Sequence, residues 1–392
     1  MNTATQAVSG SGARIGAIAV VLLAGVMTGA QLGKIAPLIP WYREEIGFSL
    51  VGSGWLAAIL GIFIAVGALP AGWAIDRLGL ARSILLGSIA LFAGGVALAL
   101  ATSPVFIFGA RLVEAVGYLA LCVALPAVLN EISPPNWKAP VLAIWSGFVP
   151  LGFATSDFLA LAMLPDFLES AYLITVVLIF AGFAAAALVL LRGFSLTSSA
   201  GASGGIALTL SRDVILLACG FGAFVVLSLS MFTFMPAYVA GSGSHYLVSA
   251  GMVALSVPLG NIAAGILVRG KGARFMAKLG IFGFAVSAVT AVPAFTFASP
   301  VLATTSALAL AISGALVASA QFAAIPFITP RGGSVSVAIG LVCQAGGIGT
   351  VIGPPIAAAV IEHAGWTGFA WFLSATAVAG IACMVPLLRT DG

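Results

Sequence analysis

Charge is what this chain has least of. Only 7% of its 392 residues are Asp, Glu, Lys or Arg, against about 25% in soluble globular domains. A chain so poor in charge has no polar shell to present to water, which excludes an ordinary soluble globule. Histidine is nearly absent, with two residues, and cysteine is scarce, with four. Cys122, Cys219, Cys343 and Cys383 are far apart, lack the spacing of a metal site, and fall inside apolar runs where disulfides are not expected. The sequence shows no glycine-rich phosphate loop, no metal cluster and no His or Cys nucleophile arrangement. It is therefore read as a non-enzyme without a cofactor, and ATP is excluded as an energy source within the chain. The period-two alternation of a membrane β-barrel is missing too.

What is present is apolar length. Hydrophobic residues make up 61% of the chain and the mean hydropathy is +1.21. Forty-eight glycines and 19 prolines would weaken soluble helices, but neighbouring helices compensate for them in a membrane. About 20 apolar residues cross the hydrocarbon core, and twelve such runs are predicted, near 15–40, 50–72, 83–101, 105–129, 139–161, 171–192, 213–239, 246–268, 275–297, 300–325, 335–361 and 367–388. The expected class is an all-α membrane protein with 12 transmembrane helices. Twelve cations, among them Arg14, Arg77, Arg82, Arg212 and Arg389, fall on one side of this scheme and only Arg43 on the other. Cations concentrate on the cytoplasmic side, so both termini are expected there, in a multi-pass protein of the cell inner membrane. The net charge of +4 is topological and carries no implication of nucleic acid. The polar head runs straight into a full-length span without a cleavable signal pattern.

The longest polar stretch, GFSLTSSAGASGGIALTLSRD (193–213), has the composition of a flexible tether. It divides the chain into a six-helix bundle at 1–192, a cytoplasmic linker at 193–212 and a second six-helix bundle at 213–392. The halves echo each other: Pro40 matches Pro236, and Gly54 matches Gly251 with one inserted residue. The densely charged turn GWAIDRLGLAR (72–82) recurs as GILVRGKGAR (265–274), with Gly265 in the place of Gly72, Arg269 in that of Asp76 and Gly272 in that of Gly79. Parallel repeats of this kind mark transporters built around a central path.

Gly72, Asp76, Arg77, Gly79 and Arg82, with the arginine–glycine stretch RLVEAVG (111–117), resemble the major facilitator superfamily of secondary transporters. IWSGFVPLG (144–152), VPLGNIAAG (257–265) and GLVCQAGGIGTVIGPP (340–355) look like its cyanate and nitroimidazole transporter type. The family more often carries basic residues where this chain has Leu80 and Ala81. The resemblance implies a conformational latch formed by Gly72, Asp76, Arg77, Gly79 and Arg82. In it Asp76 caps the inner end of helix 11 and the arginines meet acids near helix 4, for which Glu131 is the candidate. A carboxylate at a helix N-terminus gains about 0.3–1 kcal/mol. Pro150 with Gly147 and Gly152 in helix 5, and the glycines and prolines at 346–355 in helix 11, permit the bending and close contact that a rocking carrier needs.

Four ionisable groups fall well inside spans: Lys34, Arg111, Glu114 and Asp157. Each costs about 2.5–3.5 kcal/mol at the membrane centre unless paired or facing water. Lys34, Arg111 and Asp157 all lie roughly 9–10 Å outward of their helix midpoints, and Glu114 shares the face of Arg111 three residues on. Two arrangements remain open. In one, Lys34 and Arg111 bind an anionic substrate while Asp157 or Glu114 carries a proton. In the other, Arg111–Glu114 and Lys34–Asp157 are permanent structural pairs. Gln31, Gln321 and Gln344 complete the candidate substrate-binding set, and Asn261, Phe232 and Phe234 are further polar or aromatic candidates in the second half. His245 and His363 are read as interfacial. The expectation is a monomer that moves a small organic anion by proton symport, with the proton-coupled export of drugs or metabolites as the alternative.

Overall fold

A computed structural model describes residues 11–196, 205–242 and 246–389. The polar head up to residue 10, linker residues 197–204 and His245 lie outside the described residues. Among the described residues there is no strand, as continuous apolar runs require when lipid offers the backbone no partner.

Before the linker come α1 (Ser11–Gly33), the short α2 (Ile39–Glu44), α3 (Leu50–Leu78), α4 (Leu80–Leu100), α5 (Pro104–Ile132), α6 (Pro135–Trp145), α7 (Phe148–Met163) and α8 (Glu169–Leu191). After it come α9 (Gly205–Thr209), α10 (Arg212–Ser242), α11 (Ala250–Leu255), α12 (Val257–Leu267), α13 (Ala273–Thr296), α14 (Pro300–Ile328) and α15 (Val335–Met384). Nine helices among the described residues are long and apolar enough to cross a membrane, or ten when α6 and α7, bent by 47°, are counted as one broken span. The 50-residue α15 is interrupted at Gly365, whose φ of 63° and ψ of −166° belong to a region open essentially to glycine alone.

Serines begin several helices by accepting a backbone N–H, which satisfies a donor the first turn would leave orphaned: Ser49 from Gly52, Ser249 from Met252 and Ser334 from Val337. Ser103-Pro104-Val105 opens α5, and Ser299-Pro300-Val301 opens α14 196 residues later. Both helices are 29 residues long. This is a firmer internal correspondence than the turn alignment, which needs correcting. Gly79 joins α3 to α4 with φ 85°, but Gly272, set opposite it in the sequence, has φ −94°. The positive φ in the second turn belongs to Gly270, at 67°.

Gly79→Ala is therefore expected to cost about 1–3 kcal/mol, and Gly272→Ala, with open space around its Cβ position, less than about 0.5 kcal/mol. Thermal unfolding of the detergent-purified variants checks this. Equal midpoints would contradict the backbone assignment.

Helices before the linker pack mainly on one another: α1 on α7 and α8, α4 on α5 and α8, α3 on α5. Those after it do the same, α10 on α15 and α13 on α14 and α15. The two groups meet where α3 lies along α15 and where α6 lies against α12 and α14.

Candidate functional site

The far ends of α1 and α5, away from the charged turn, build a closed ionic cluster. Lys34 follows the last residue of α1, and Arg111 and Glu114 sit one turn apart near the start of α5. All three, with Gln31, have 0% exposure. Lys34 Nζ lies 2.6 Å from Glu114 Oε1, and Arg111 Nη1 lies 2.7 Å from Glu114 Oε2. One carboxylate thus faces two basic side chains. Three further Arg111 donors go to backbone carbonyls: Gln31 at 2.8 Å, Leu56 at 3.2 Å and Leu32 at 3.4 Å. The guanidinium fork, with five fixed donors, therefore clamps α1 and α3 onto α5. Gln31 accepts from Lys34 Nζ through Oε1 at 2.7 Å and donates to the Met27 and Val176 carbonyls.

Glycines make the room. A Cβ on Gly95 of α4 would stand 3.0 Å from Glu114 Oε1, and one on Gly94 2.6 Å from the Glu114 backbone nitrogen. Gly117, the glycine of the RLVEAVG stretch, lets α5 pass directly over the Leu91 backbone of α4.

Of the expected pairings, Arg111–Glu114 is present. The Lys34–Asp157 pair is not: Lys34 takes Glu114 instead, and Asp157 is exposed on α7. On that helix it is Ser156 that turns inward, against Gly33 of α1. The three glutamines do not converge either. Gln344 Oε1 accepts from Leu69 N at 3.0 Å across the α3–α15 contact. Gln321 is fully buried at Met384, with Oε1 lacking a hydrogen-bond partner. Only Gln31 joins the charged residues. His363 is exposed, its Nδ1 2.7 Å from the Ala359 carbonyl.

At the turn end of the molecule, Gly72 lies so near α15 that a Cβ would stand 2.6 Å from the Ser336 carbonyl oxygen. Arg77 and Arg82 are exposed, as is Glu131, and Arg77 rests over the Trp73 ring at 3.9 Å. Asp76 is half-buried, and the N-cap of α15 is occupied by Ser334.

The sequence reading missed a polar knot at the α6–α7 break. Ser146 Oγ lies 3.0 Å from both Ser319 Oγ of α14 and Asn261 of α12, and Ser319 also donates to the Ala143 carbonyl at 3.0 Å. At the other end of α6, Arg269 lies over the Trp137 ring at 5.0 Å. Among the described residues, the bonds and close glycine approaches between the two helix groups run from Gly61–Thr350 through Cys122–Cys343 to Gly72–Ser336. The ionic cluster lies beyond them, toward the helix ends away from the charged turn.

A protein-family model described as the Major Facilitator Superfamily matches residues 21–348. Curated relatives include the arabinose-proton symporter of Escherichia coli K12, 27% identical over 130 residues, which are 33% of this chain and 28% of the relative. The galactose-proton symporter of the same strain is 25% identical over 130 residues, with the same coverage. This chain thus spans about 28% of the length of those relatives. Among solved structures, the proton:xylose symporter XylE bound to 6-bromo-6-deoxy-D-glucose superposes with a TM-score of 0.78 at 15% identity, over 97% of this chain and 96% of that one. The human organic anion transporter MFSD10 gives 0.71 at 15% identity, over 95% and 99%.

Proposed function

Because this chain belongs to the major facilitator superfamily, we propose that it is a secondary transporter working by alternating access, which takes up a small organic anion together with protons. The observation that carries this reading is the make-up of the buried cluster: two bases against one acid, so that full protonation leaves one positive charge over. A surplus positive charge sealed in a membrane protein is costly. A cargo carboxylate removes that cost, so the cluster favours an anion.

The opposite wall supports a cargo that is apolar at its other end. Applying the 196-residue offset of α5 and α14 to Gln31, Lys34, Arg111 and Glu114 leads to Leu227, Ser230, Ala307 and Leu310, all uncharged. Leu227 and Leu310, with Phe224, Met231, Phe232 and Val257, line an apolar cavity of about 20 Å³. That is room for a single water, so cargo enters a site that must open.

In this reading the chain forms two six-helix bundles, 1–192 and 213–392, with 193–212 as the cytoplasmic linker. The twelve spans arise when α15 counts as two helices across Gly365 and α11 with α12 makes another. Both termini face the cytoplasm of an inner-membrane monomer that needs no cofactor and binds no nucleic acid. Gly72, Asp76, Arg77, Gly79, Arg82 and Glu131 form the latch of the closed cytoplasmic end. Arg111 and Lys34 draw the anion, while Glu114 or Asp157 belongs to the proton path. The names of the sugar-proton symporters to which parts of the chain are similar favour a second cargo class, a neutral sugar.

Purified protein in liposomes containing a pH-sensitive dye tests the proposal. Gradients of acetate, hexanoate and benzoate are expected to drive internal acidification. Aldopentoses and hexoses test the sugar reading, and lipophilic cations the export reading, in which the lumen turns alkaline. Asp157→Asn tests the carboxyl route: loss of acidification with anion counterflow retained would put Asp157 on the proton path, and unchanged acidification would remove it. Silence across all three panels would overturn carrier function.

A further inference from the structure

Of the two bases in the cluster, one is set apart by its partners. Glu114 accepts a hydrogen bond from a different basic side chain at each oxygen, so it is the ionised member. Arg111 keeps its proton under all ordinary conditions, and each of its three nitrogens has an acceptor. Lys34 is different. Its Nζ has two partners, Gln31 Oε1 at 2.7 Å and Glu114 Oε1 at 2.6 Å, and no third among the described residues. An ammonium brings three N–H donors; a neutral amine brings two. The side chain is sealed from bulk solvent, with 0% exposure. The coordination counted at Lys34 is that of an amine.

We propose that Lys34 is the proton-carrying residue of the transport cycle: a neutral amine in the empty carrier, and an ammonium only when cargo arrives. Protonation creates at once a surplus charge and an N–H without an acceptor, and a cargo carboxylate supplies the missing partner for both. Cargo and proton then move as a neutral unit, and the empty carrier returns as the neutral Lys34–Glu114–Arg111 cluster. This shifts the coupled proton from a carboxyl group to the lysine. The proposal rests on the proton-coupled carrier reading above.

The other charged or titratable groups packed about the site are few. Arg111 and Glu114 come from α5. From α8, the Tyr172 hydroxyl donates to the Ser156 carbonyl at 3.1 Å and approaches the Lys34 carbonyl at 3.4 Å. Tyr42 of α2 is buried with its hydroxyl unpartnered. The α7 carboxylate, Asp157, is exposed, and the stretch of α3 at Leu56 contributes only a carbonyl.

The chain has four lysines, Lys34, Lys138, Lys271 and Lys278, which makes a direct test practical. Replacing the last three by arginine leaves Lys34 unaltered as the sole lysine. With ¹⁵Nζ-labelled lysine, magic-angle-spinning NMR of the full chain in lipid nanodiscs separates amine from ammonium without any cargo. The expected result is a single amine signal at about pH 8 that is replaced by an ammonium signal as pH falls. An ammonium signal alone at about pH 8 overturns the assignment. The wild type is expected to show one amine beside three ammonium signals, and four ammonium signals would overturn the proposal as well. Liposome uptake read alongside separates the two failures. An ammonium with active uptake leaves a carrier whose proton rides on Asp157 or Glu114. A neutral Lys34 with no flux in any panel overturns the carrier reading and any coupling role for Lys34 with it.

Discussion

Glu114→Gln is expected to destabilise the folded protein by about 3–5 kcal/mol, the cost of removing the partner of a buried charge. Glu114 is fully buried and is the acid that Lys34 and Arg111 share. Glutamine keeps the volume and one acceptor oxygen, so packing against Gly94 and Gly95 survives while the negative charge disappears. What remains is a guanidinium sealed against three carbonyls with nothing to balance it. The triple variant Lys34→Met, Arg111→Met, Glu114→Leu removes the charges together and is expected to recover most of the loss, since apolar replacement of a buried ionic group is often neutral or better. Thermal unfolding and monodispersity in detergent read both variants. A Glu114→Gln protein with the wild-type midpoint would mean that water reaches the cluster, and the donor count at Lys34 would fail with it.

The severity expected at Glu114 also shows what could be read before any coordinates. Long uninterrupted apolar runs admit only helices in lipid, so the helical class and most spans were legible. Span 5 was drawn as one helix, because nothing in its hydropathy marks the 47° bend between α6 and α7. Arg111–Glu114 was legible because i and i+3 share a face on any helix. The partner of Lys34 was not, because it depends on how α7 is rotated about its axis. Ser156 faces α1, and Asp157, one residue further along, is turned about 100° away. The glutamines misled for a related reason. Gln344 and Gln321 have the chemistry of a binding site, but one is engaged at the α3–α15 seam and the other is enclosed at Met384. The seam itself did have a signature. Gly61, Ala65, Ala68 and Gly72 recur at helical spacing along α3, opposite Thr350, Gly347, Gly340 and Ser336 of α15, the small-residue stripe by which membrane helices approach closely.

That stripe leads to the second large effect. Gly72→Leu places a branched side chain where even a Cβ would stand 2.6 Å from the Ser336 carbonyl oxygen and 2.9 Å from the Val337 Cα. Backbone on the far side cannot yield as a side chain would, so relief comes from separating α3 from α15 at the turn end. Overpacking of this kind costs about 1–3 kcal/mol. Levied only on the conformer in which that end is closed, the cost shifts the balance between conformers by about 5- to 150-fold. The chain supplies its own reporters. Cys122 of α5 and Cys343 of α15 are buried against each other's helices, with Cys343 Sγ 3.9 Å from the Cys122 carbonyl oxygen. Cys219 and Cys383, exposed and half-buried, are first replaced by serine. In that background maleimide labelling of Cys343 is expected to be slow, and to accelerate by a comparable factor in Gly72→Leu as transport falls. Gly54→Leu, on the same helix but with open space at its Cβ position, is expected to change neither. Acceleration in both variants would point to general loosening of α3. No acceleration in either would mean that Gly72 is a packing residue of one state only, and that the closed turn end is held by the Ser146–Ser319–Asn261 knot and the Arg269–Trp137 contact instead.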